Sequence, residues 1–253
     1  MKESSPSNET LDAIGKDRLT LLQPREGYRF SLDSLLLWGF LRPSPNERWV
    51  DLGSGCGILS IALAKVSGVK KVYGLEIQSD LVELAHRNAS LNGVEALVTF
   101  QVLDIRDASA LKHLSSVDAV CTNPPYYPVG TGRLNPHRQK AVARHEIKGT
   151  LADFICAGRH LLKRGGLYTT ILPSQRFQEA IQLFTSFRFS LSRIRPVHPY
   201  REEPANLILI EALKEKKVPS FRLEPPLVVY SAPMTYSPEV QKLFSLIPLE
   251  DIH

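Results

Sequence analysis

Asn123 is followed at once by Pro124, Pro125, Tyr126 and Tyr127, and the five residues close the apolar run VDAVCT. Proline lacks an N–H and has a fixed φ, so it cannot continue a central strand. The residue before a proline is held extended. The stretch therefore reads as a stiff exit from a strand that carries an amide, a rigidly held carbonyl and two aromatic rings. Upstream, Asp51 ends another apolar run, and Gly53, Gly55 and Gly57 alternate before a helical segment that begins near Ile58. Glycines there let the backbone turn tightly and approach a ligand without a Cβ in the way. Two more acids close strand-like runs, Glu76 (next to Ile77) in VYGLEI and Asp104 in VLDI. An acid some 20 residues after a glycine-rich turn can accept both hydroxyls of a ribose.

The elements that must position these residues alternate. RWVDLG, KKVYGLEI, LVTFQVLDI, VDAVCTN and LYTTILP are strand-like. ILSIALAKV, SDLVELAHRNASLNG, TLADFICAGRHLLKRGG (stopped by a double glycine) and SQRFQEAIQLFTSF are helical. Such alternation argues for an α/β fold with a mostly parallel sheet covered by helices on both faces. LSRIRPVHPY and ANLILIEAL read as a closing strand pair. Before the first strand, residues 1–18 form a disordered N-terminus and 19–47 a hairpin and a helix over about 32–41. The main domain runs over 48–253, with a proline- and tyrosine-rich end as an extended cap.

The 253 residues carry a net charge of +5, which permits a nucleic-acid partner without requiring one. The excess gathers in RLNPHRQKAVARHEIK, where Arg133, Arg138, Lys140, Arg144 and Lys148 face only Glu146. Cys56, Cys121 and Cys156 form no CxxC pair, and the seven histidines have no ligand spacing, so neither a disulfide framework nor a metal site is expected. The polar start lacks the apolar core of a signal peptide, and no uncharged apolar run approaches the ~18 residues of a membrane span. A cytoplasmic protein is expected.

The pattern D-x-G-x-G-x-G resembles motif I of class I S-adenosylmethionine methyltransferases. Dinucleotide oxidoreductases favour G-x-G-x-x-G instead. The cofactor's methionine amine is cationic, so an acid at Asp51 helps. In that family the acid at the position of Asp104 accepts the adenine amine of the cofactor. NPPY resembles the N/D-P-P-Y/F/W motif of methyltransferases that act on planar nitrogens. There Asn123 Oδ1 and the Pro124 carbonyl each accept one hydrogen of an exocyclic amine and draw the nitrogen towards tetrahedral geometry. Tyr126 stacks on the planar substrate, as flipped bases stack on aromatics. A plain strand-exit turn is the competing reading.

Three further segments, QPREGYRFSLDSLLLWGF, NPPYYPVGTGRLNPHRQKAVARHE and LVVYSAPMTYSPEVQKLF, are together similar to the bacterial valine-tRNA adenine N(6) methyltransferases, which modify the adenine 3′ of the anticodon. The resemblance covers roughly 19–244. It implies a Rossmann-like class I methyltransferase with a seven-stranded sheet whose last strand, supplied by ANLILIEAL, is antiparallel. It also implies S-adenosylmethionine as cofactor and tRNA as partner. Arg29, Phe30, Asp33, Tyr127, Arg133, Arg138, Lys140 and Arg144 are the candidate substrate contacts. Guanine-amine methyltransferases of ribosomal RNA and release-factor glutamine methyltransferases share the NPPY motif and stay open, as does an inactive RNA-binding module.

Overall fold

The structure is a computed structural model, and it describes residues 9–14, 19–25, 31–125, 149–218 and 220–245. Arg29, Phe30, Tyr126, Tyr127, Arg133, Arg138, Lys140 and Arg144 lie outside the described residues.

The chain opens with β1 (Glu9–Ile14) and β2 (Leu19–Pro24), an antiparallel pair, followed by helix α1 (Leu32–Phe40). Next come β3 (Arg48–Leu52), α2 (Ile58–Val66), β4 (Lys71–Glu76), α3 (Ser79–Leu91), β5 (Val98–Val102), the one-turn helix α4 (Ala108–Leu111) and β6 (Val117–Thr122). After residue 148 follow α5 (Leu151–Leu161), β7 (Leu162–Pro173), α6 (Phe177–Ser186), β8 (Phe189–His198) and β9 (Leu207–Lys214). The C-terminal part holds β10 (Arg222–Leu223), β11 (Leu227–Val228), β12 (Tyr230–Ala232), β13 (Thr235–Tyr236) and α7 (Pro238–Ser245).

The main sheet has the order β10-β8-β9-β7-β6-β3-β4-β5. Strands β3, β4, β5, β6 and β7 are parallel to their neighbours among themselves, and β9 runs antiparallel to both β7 and β8. This is the mostly parallel sheet with one reversed strand, and Leu207–Lys214 supplies that strand as the segment ANLILIEAL implied. The two-residue strands β10 and β11 pair with β8 and bring the sheet to nine strands.

Successive side chains of a strand point to opposite faces, and the two faces have separate cores. Trp49, Ala119 and Cys121 pack with α1, α2, α3 and the hairpin. Val50, Leu52 and Val120 pack with α4, α5 and α6. The chain leaves β3 towards β4 on one side and reaches β6 and β7 on the other. The switch point of the sheet therefore lies between β3 and β6, where open α/β sheets bind ligands beyond the carboxyl ends of their strands.

Three expectations are corrected. Glu9–Ile14, inside the stretch expected to be disordered, is a strand: it pairs with β2 over its whole length, and Glu9 makes a two-pronged ion pair with Arg87 of α3. Helix α5 stops at Leu161, before the double glycine, because Leu162 turns extended. Gly165 and Gly166 lie within β7, where a Cβ on Gly166 would meet the Lys163 carbonyl at 2.9 Å and the Asp118 carbonyl at 3.1 Å. The end of the chain is not wholly extended, for α7 packs its Leu243 against Gly39 of α1. Its start carries proline in the first turn, where the missing N–H costs nothing.

Candidate active site

The loop after β3 is built by its glycines. Gly53, Gly55 and Gly57 have φ of +72°, +54° and +91°, values that side chains with a Cβ rarely adopt. A Cβ on Gly57 would also stand 2.6 Å from the Phe100 ring. The Gly53 and Ser54 N–H groups donate to the Leu75 carbonyl, which ties the loop to the end of β4. Glu76, at that end, receives the loop from the other side. Its Oε2 accepts from the Gly55 N–H at 3.1 Å, and its Oε1 accepts from the N–H groups of Ile77 and Gln78 at 2.9 and 3.0 Å. Burial raises the Glu76 carboxyl above the usual carboxylate range, and the three backbone donors oppose that rise. The Gln78 side chain bonds to the same carboxylate, and Glu76 lines the pocket beside it.

Leu52 and Thr122 are register partners on β3 and β6, so Gly53 and Asn123 leave the sheet side by side. Thr122 Oγ1 donates to the Leu52 carbonyl at 2.8 Å and fixes that junction. One pocket, with about 620 Å³ of empty space counting its mouth, is lined by Gly53, Gly55, Glu76, Ile77, Asn123 and Pro125. Leu75, Gln78, Leu81, Leu103, Ile105, Gly149 and Phe154 complete the wall. Its lining is apolar with a few convergent polar groups, the character of a small-molecule site.

The structure thus brings Gly53, Gly55, Glu76, Ile77 and Asn123 together and leaves three acids, Asp51, Asp104 and Asp33, outside the lining. Asp51 is 1 % exposed and sits behind the loop, where its Oδ2 accepts from Ser60 Oγ of α2 at 2.8 Å. Burial pushes its carboxyl up to about 7, with Ser60 opposing and Glu76 adding to the rise. Asp104 is clasped by the Arg106 guanidinium and faces a separate shallow depression with Gln101, Asp107 and His113. Its neighbours Leu103 and Ile105 reach the pocket instead. Asp33, in the first turn of α1, is half-buried and is not among the residues lining the pocket. Pro124 is buried between Asn123 and Pro125.

Sequence reasoning missed the buried asparagines of α3. Asn88 bonds both backbone groups of Leu22 in β2 and donates to the Cys56 carbonyl of the glycine loop. Asn92, one turn on, bonds both backbone groups of Thr20. The signal was there: two amides on the same stripe as Leu81, Leu84 and Ala85 have to be buried, and so have to be bonded. Arg193, a cation that would otherwise be a candidate RNA contact, is buried, paired with Glu211 at 2.7 Å, bonded to the Phe40 carbonyl and laid over the Phe40 ring.

The donor set fits S-adenosylmethionine. The glycine cradle admits close backbone approach, Glu76 offers a buried acceptor for ribose hydroxyls, and Leu75, Leu81, Leu103, Ile105 and Phe154 give an apolar wall for a purine. Among the described residues no group of His, Cys, Asp or Glu is placed to hold a metal ion, and no helix is long and apolar enough to cross a membrane.

Residues 30–189 match the model of the methyltransferase small domain. The chain is 25 % identical over 239 residues to the tRNA1(Val) (adenine(37)-N6)-methyltransferase of Porphyromonas gingivalis strain ATCC 33277, a match that covers 92 % of this chain and 93 % of that one. It is 26 % identical to the enzyme of the same name from Vibrio parahaemolyticus, over 81 % of this chain and 83 % of that one. Among solved structures, a predicted O-methyltransferase from Agrobacterium tumefaciens superposes with a TM-score of 0.67 at 23 % identity, covering 84 % of this chain and 95 % of that one. The tRNA m1G37 methyltransferase of M. jannaschii superposes with a TM-score of 0.59 at 20 % identity, over 85 % of this chain and 60 % of that one. These likenesses show a shared class I methyltransferase fold. With the family model matched over most of the chain and the glycine loop, Glu76 and Asn123 gathered at one switch point, the protein belongs to the methyltransferase small domain family.

Proposed function

We propose that the protein methylates the N6 amine of an adenine in tRNA, the adenine 3′ of the anticodon in a valine tRNA. The observation that carries this reading is the placement of Asn123, with its NPPY sequence, beside Gly53 and Glu76 in one pocket. The names of relatives that align with nearly the whole chain support the choice of adenine and of tRNA. Bound S-adenosylmethionine supplies a sulfonium methyl group that an amine lone pair takes by direct displacement, leaving S-adenosylhomocysteine and a proton.

The residues of the chain do the rest. Gly53 and Gly55 admit the cofactor backbone, and Glu76 holds its ribose. Ile77 and the apolar wall enclose the purine, and Asp51, behind the loop, stabilises the cationic end through its charge. Asp104 bounds the site from outside. Asn123 Oδ1 and the Pro124 carbonyl each take one hydrogen of the adenine amine, so the nitrogen lone pair is released from conjugation and aimed. The proline ring of Pro124 and the extended residue before it keep those acceptors in place at no cost during the reaction. Tyr126 stacks on the adenine. Arg29, Phe30, Asp33, Tyr127, Arg133, Arg138, Lys140 and Arg144 bind the tRNA around it, the arginines and lysine on phosphates. Residues 19–47 and 48–253 act as one catalytic unit in the cytoplasm.

Asn123→Ala tests the reading. It should retain S-adenosylmethionine binding in calorimetry and lower kcat on tRNA by roughly 10²-fold or more, as the loss of an oxyanion-hole donor does. Turnover near that of the wild type would reduce the NPPY segment to a strand exit.

A further inference from the structure

At the end of the sheet opposite the candidate active site, three parts of the chain converge: the start of β7, the turn before β8 and the turn after β9. Each has one residue in the left-handed region, Gly165, Arg188 and Glu215, with φ of +74°, +59° and +49°. A shallow hollow lies between them. Arg164, Arg188, Lys216 and Lys217 line it, and Glu215 is the one acid of its lining. Thr122, the residue before Asn123, stands level with Thr170 of β7, five residues on from Gly165. At about 3.3 Å per residue, the hollow is roughly 17 Å away along the strands.

The cations gathered here divide into those that build the hollow and those left over. Arg159, in the last turn of α5, donates to the Phe187 carbonyl at the end of α6 at 2.9 Å and pairs with Glu215 at 2.9 Å. Lys214 donates to the Leu162 carbonyl that closes α5 at 2.5 Å. The Glu215 N–H donates to the Arg188 carbonyl at 2.9 Å, and Arg164 Nε donates to the Glu215 carbonyl at 3.4 Å. The carbonyls at the two helix ends, where a cation ordinarily serves, are therefore supplied, and the acid is neutralised. Arg188, Lys216 and Lys217 are exposed, and among the described residues their side chains make no hydrogen bond or ion pair. Like charges held around one hollow repel one another, and an anion from outside relieves that repulsion. Cations carried on two separate turns suit a run of phosphates rather than a single one.

Resting on the proposed action on tRNA, we propose that this hollow is a second RNA contact: Arg188, Lys216 and Lys217 hold backbone phosphates of the tRNA remote from the modified adenine. A nucleotide in the active-site pocket brings its own flanking phosphates to that end of the sheet, so the far end meets a more distant part of the same RNA. Phosphate contacts fix register and orientation without reading sequence. The hollow thus orients the substrate while the pocket selects the base.

The test combines Arg188→Ala, Lys216→Ala and Lys217→Ala in one variant. A second variant combines Lys70→Ala, Lys112→Ala and Arg222→Ala, which remove the same charge from exposed positions outside the hollow. Binding of purified valine tRNA is followed by filter retention over a range of salt concentrations. The hollow variant should lower the slope of log K against log salt by about 2–3, at roughly 0.7–0.9 for each lost phosphate contact. The second variant should change it by less than half as much. Activity lost in the hollow variant should appear in the KM for tRNA rather than in kcat. Its melting temperature should not fall, because the charges removed only repel one another. An unchanged slope in the hollow variant would overturn the contact. So would an equal change in the second variant, or a loss of binding that follows a lowered melting temperature. Binding needs no turnover, so a wild type that holds tRNA but methylates no adenine in it would overturn the proposed function and not the contact. A wild type that binds no tRNA would overturn both.

Discussion

At the scale of single residues, the two buried acids of the site behave differently, and each difference is measurable. Glu76 spends three acceptor positions on the backbone of Gly55, Ile77 and Gln78, so it shapes the glycine loop as well as facing the pocket. Glu76→Ala removes a charged acceptor, a loss of about 1.5–3 kcal/mol. Calorimetry should show S-adenosylmethionine affinity lowered roughly 10- to 150-fold. Unchanged affinity would take Glu76 out of the site. Asp51 lies behind the loop with its carboxyl raised from 3.8 to about 7 by burial. A raised acid holds its proton in the folded state while the unfolded chain has already lost it. Its contribution to stability is therefore complete below about pH 4 and declines as pH rises towards 7, by up to about 1.4 kcal/mol per pH unit, with no further change above. Urea unfolding of Asp51→Asn against the wild type should show that slope disappear. If Asp51 also acts on the cationic end of the cofactor, wild-type affinity for S-adenosylmethionine should rise through pH 7, and the rise should vanish in Asp51→Asn.

At the scale of elements, the hairpin is joined to the catalytic loop by side chains that mimic a neighbouring strand. Asn88 of α3 and Asn92, which caps its C-terminus, stand one turn apart and bond the alternate residues Leu22 and Thr20 of β2, and Asn88 reaches on to Cys56. Asn88→Ala leaves buried backbone groups of Leu22 and Cys56 without a partner, which costs about 1–3 kcal/mol. Denaturation should record that loss. Hydrogen exchange should show faster exchange at Thr20 and Leu22 while β3 and β6 keep their protection. Uniform loss of protection would mean that the hairpin is not a separate unit. These elements also mark what the sequence could and could not disclose. The parallel strands were legible because buried runs such as RWVDL and VDAVCT stop at residues with a special role, Gly53 and Pro124. Helix α5 was legible as a helical segment, and the reciprocal Thr150–Asp153 cap fixes its start, but its end was not legible. The double glycine that reads as a stop serves a close approach inside β7. Strand β1 was illegible because ETLDAI has too few apolar residues to demand burial, and it is held by pairing and an ion pair. In the pocket, the glycines, Glu76 and Asn123 announced themselves by type and spacing. The placement of Asp51 and Asp104 outside the pocket depends on which way a side chain turns, and no spacing encodes that.

At the scale of the whole molecule, the site is where the topology puts it. The strand order reverses between β3 and β6, so the glycine loop and the strand exit that carries Asn123 emerge together. The N-terminal hairpin, α1 and the C-terminal segment all pack on the same face of the sheet and so support that one end. Incubation of the purified protein with labelled S-adenosylmethionine and purified valine tRNA tests the proposed activity directly. The tRNA is then digested to nucleosides, and the modified position is mapped by mass spectrometry, with ribosomal RNA and release factor in parallel. The proposed activity predicts N6-methyladenosine at the residue 3′ of the anticodon and no comparable transfer to the other two substrates. Label found on a guanine amine, on ribosomal RNA or on a glutamine of the release factor, with none on tRNA adenine, would contradict it.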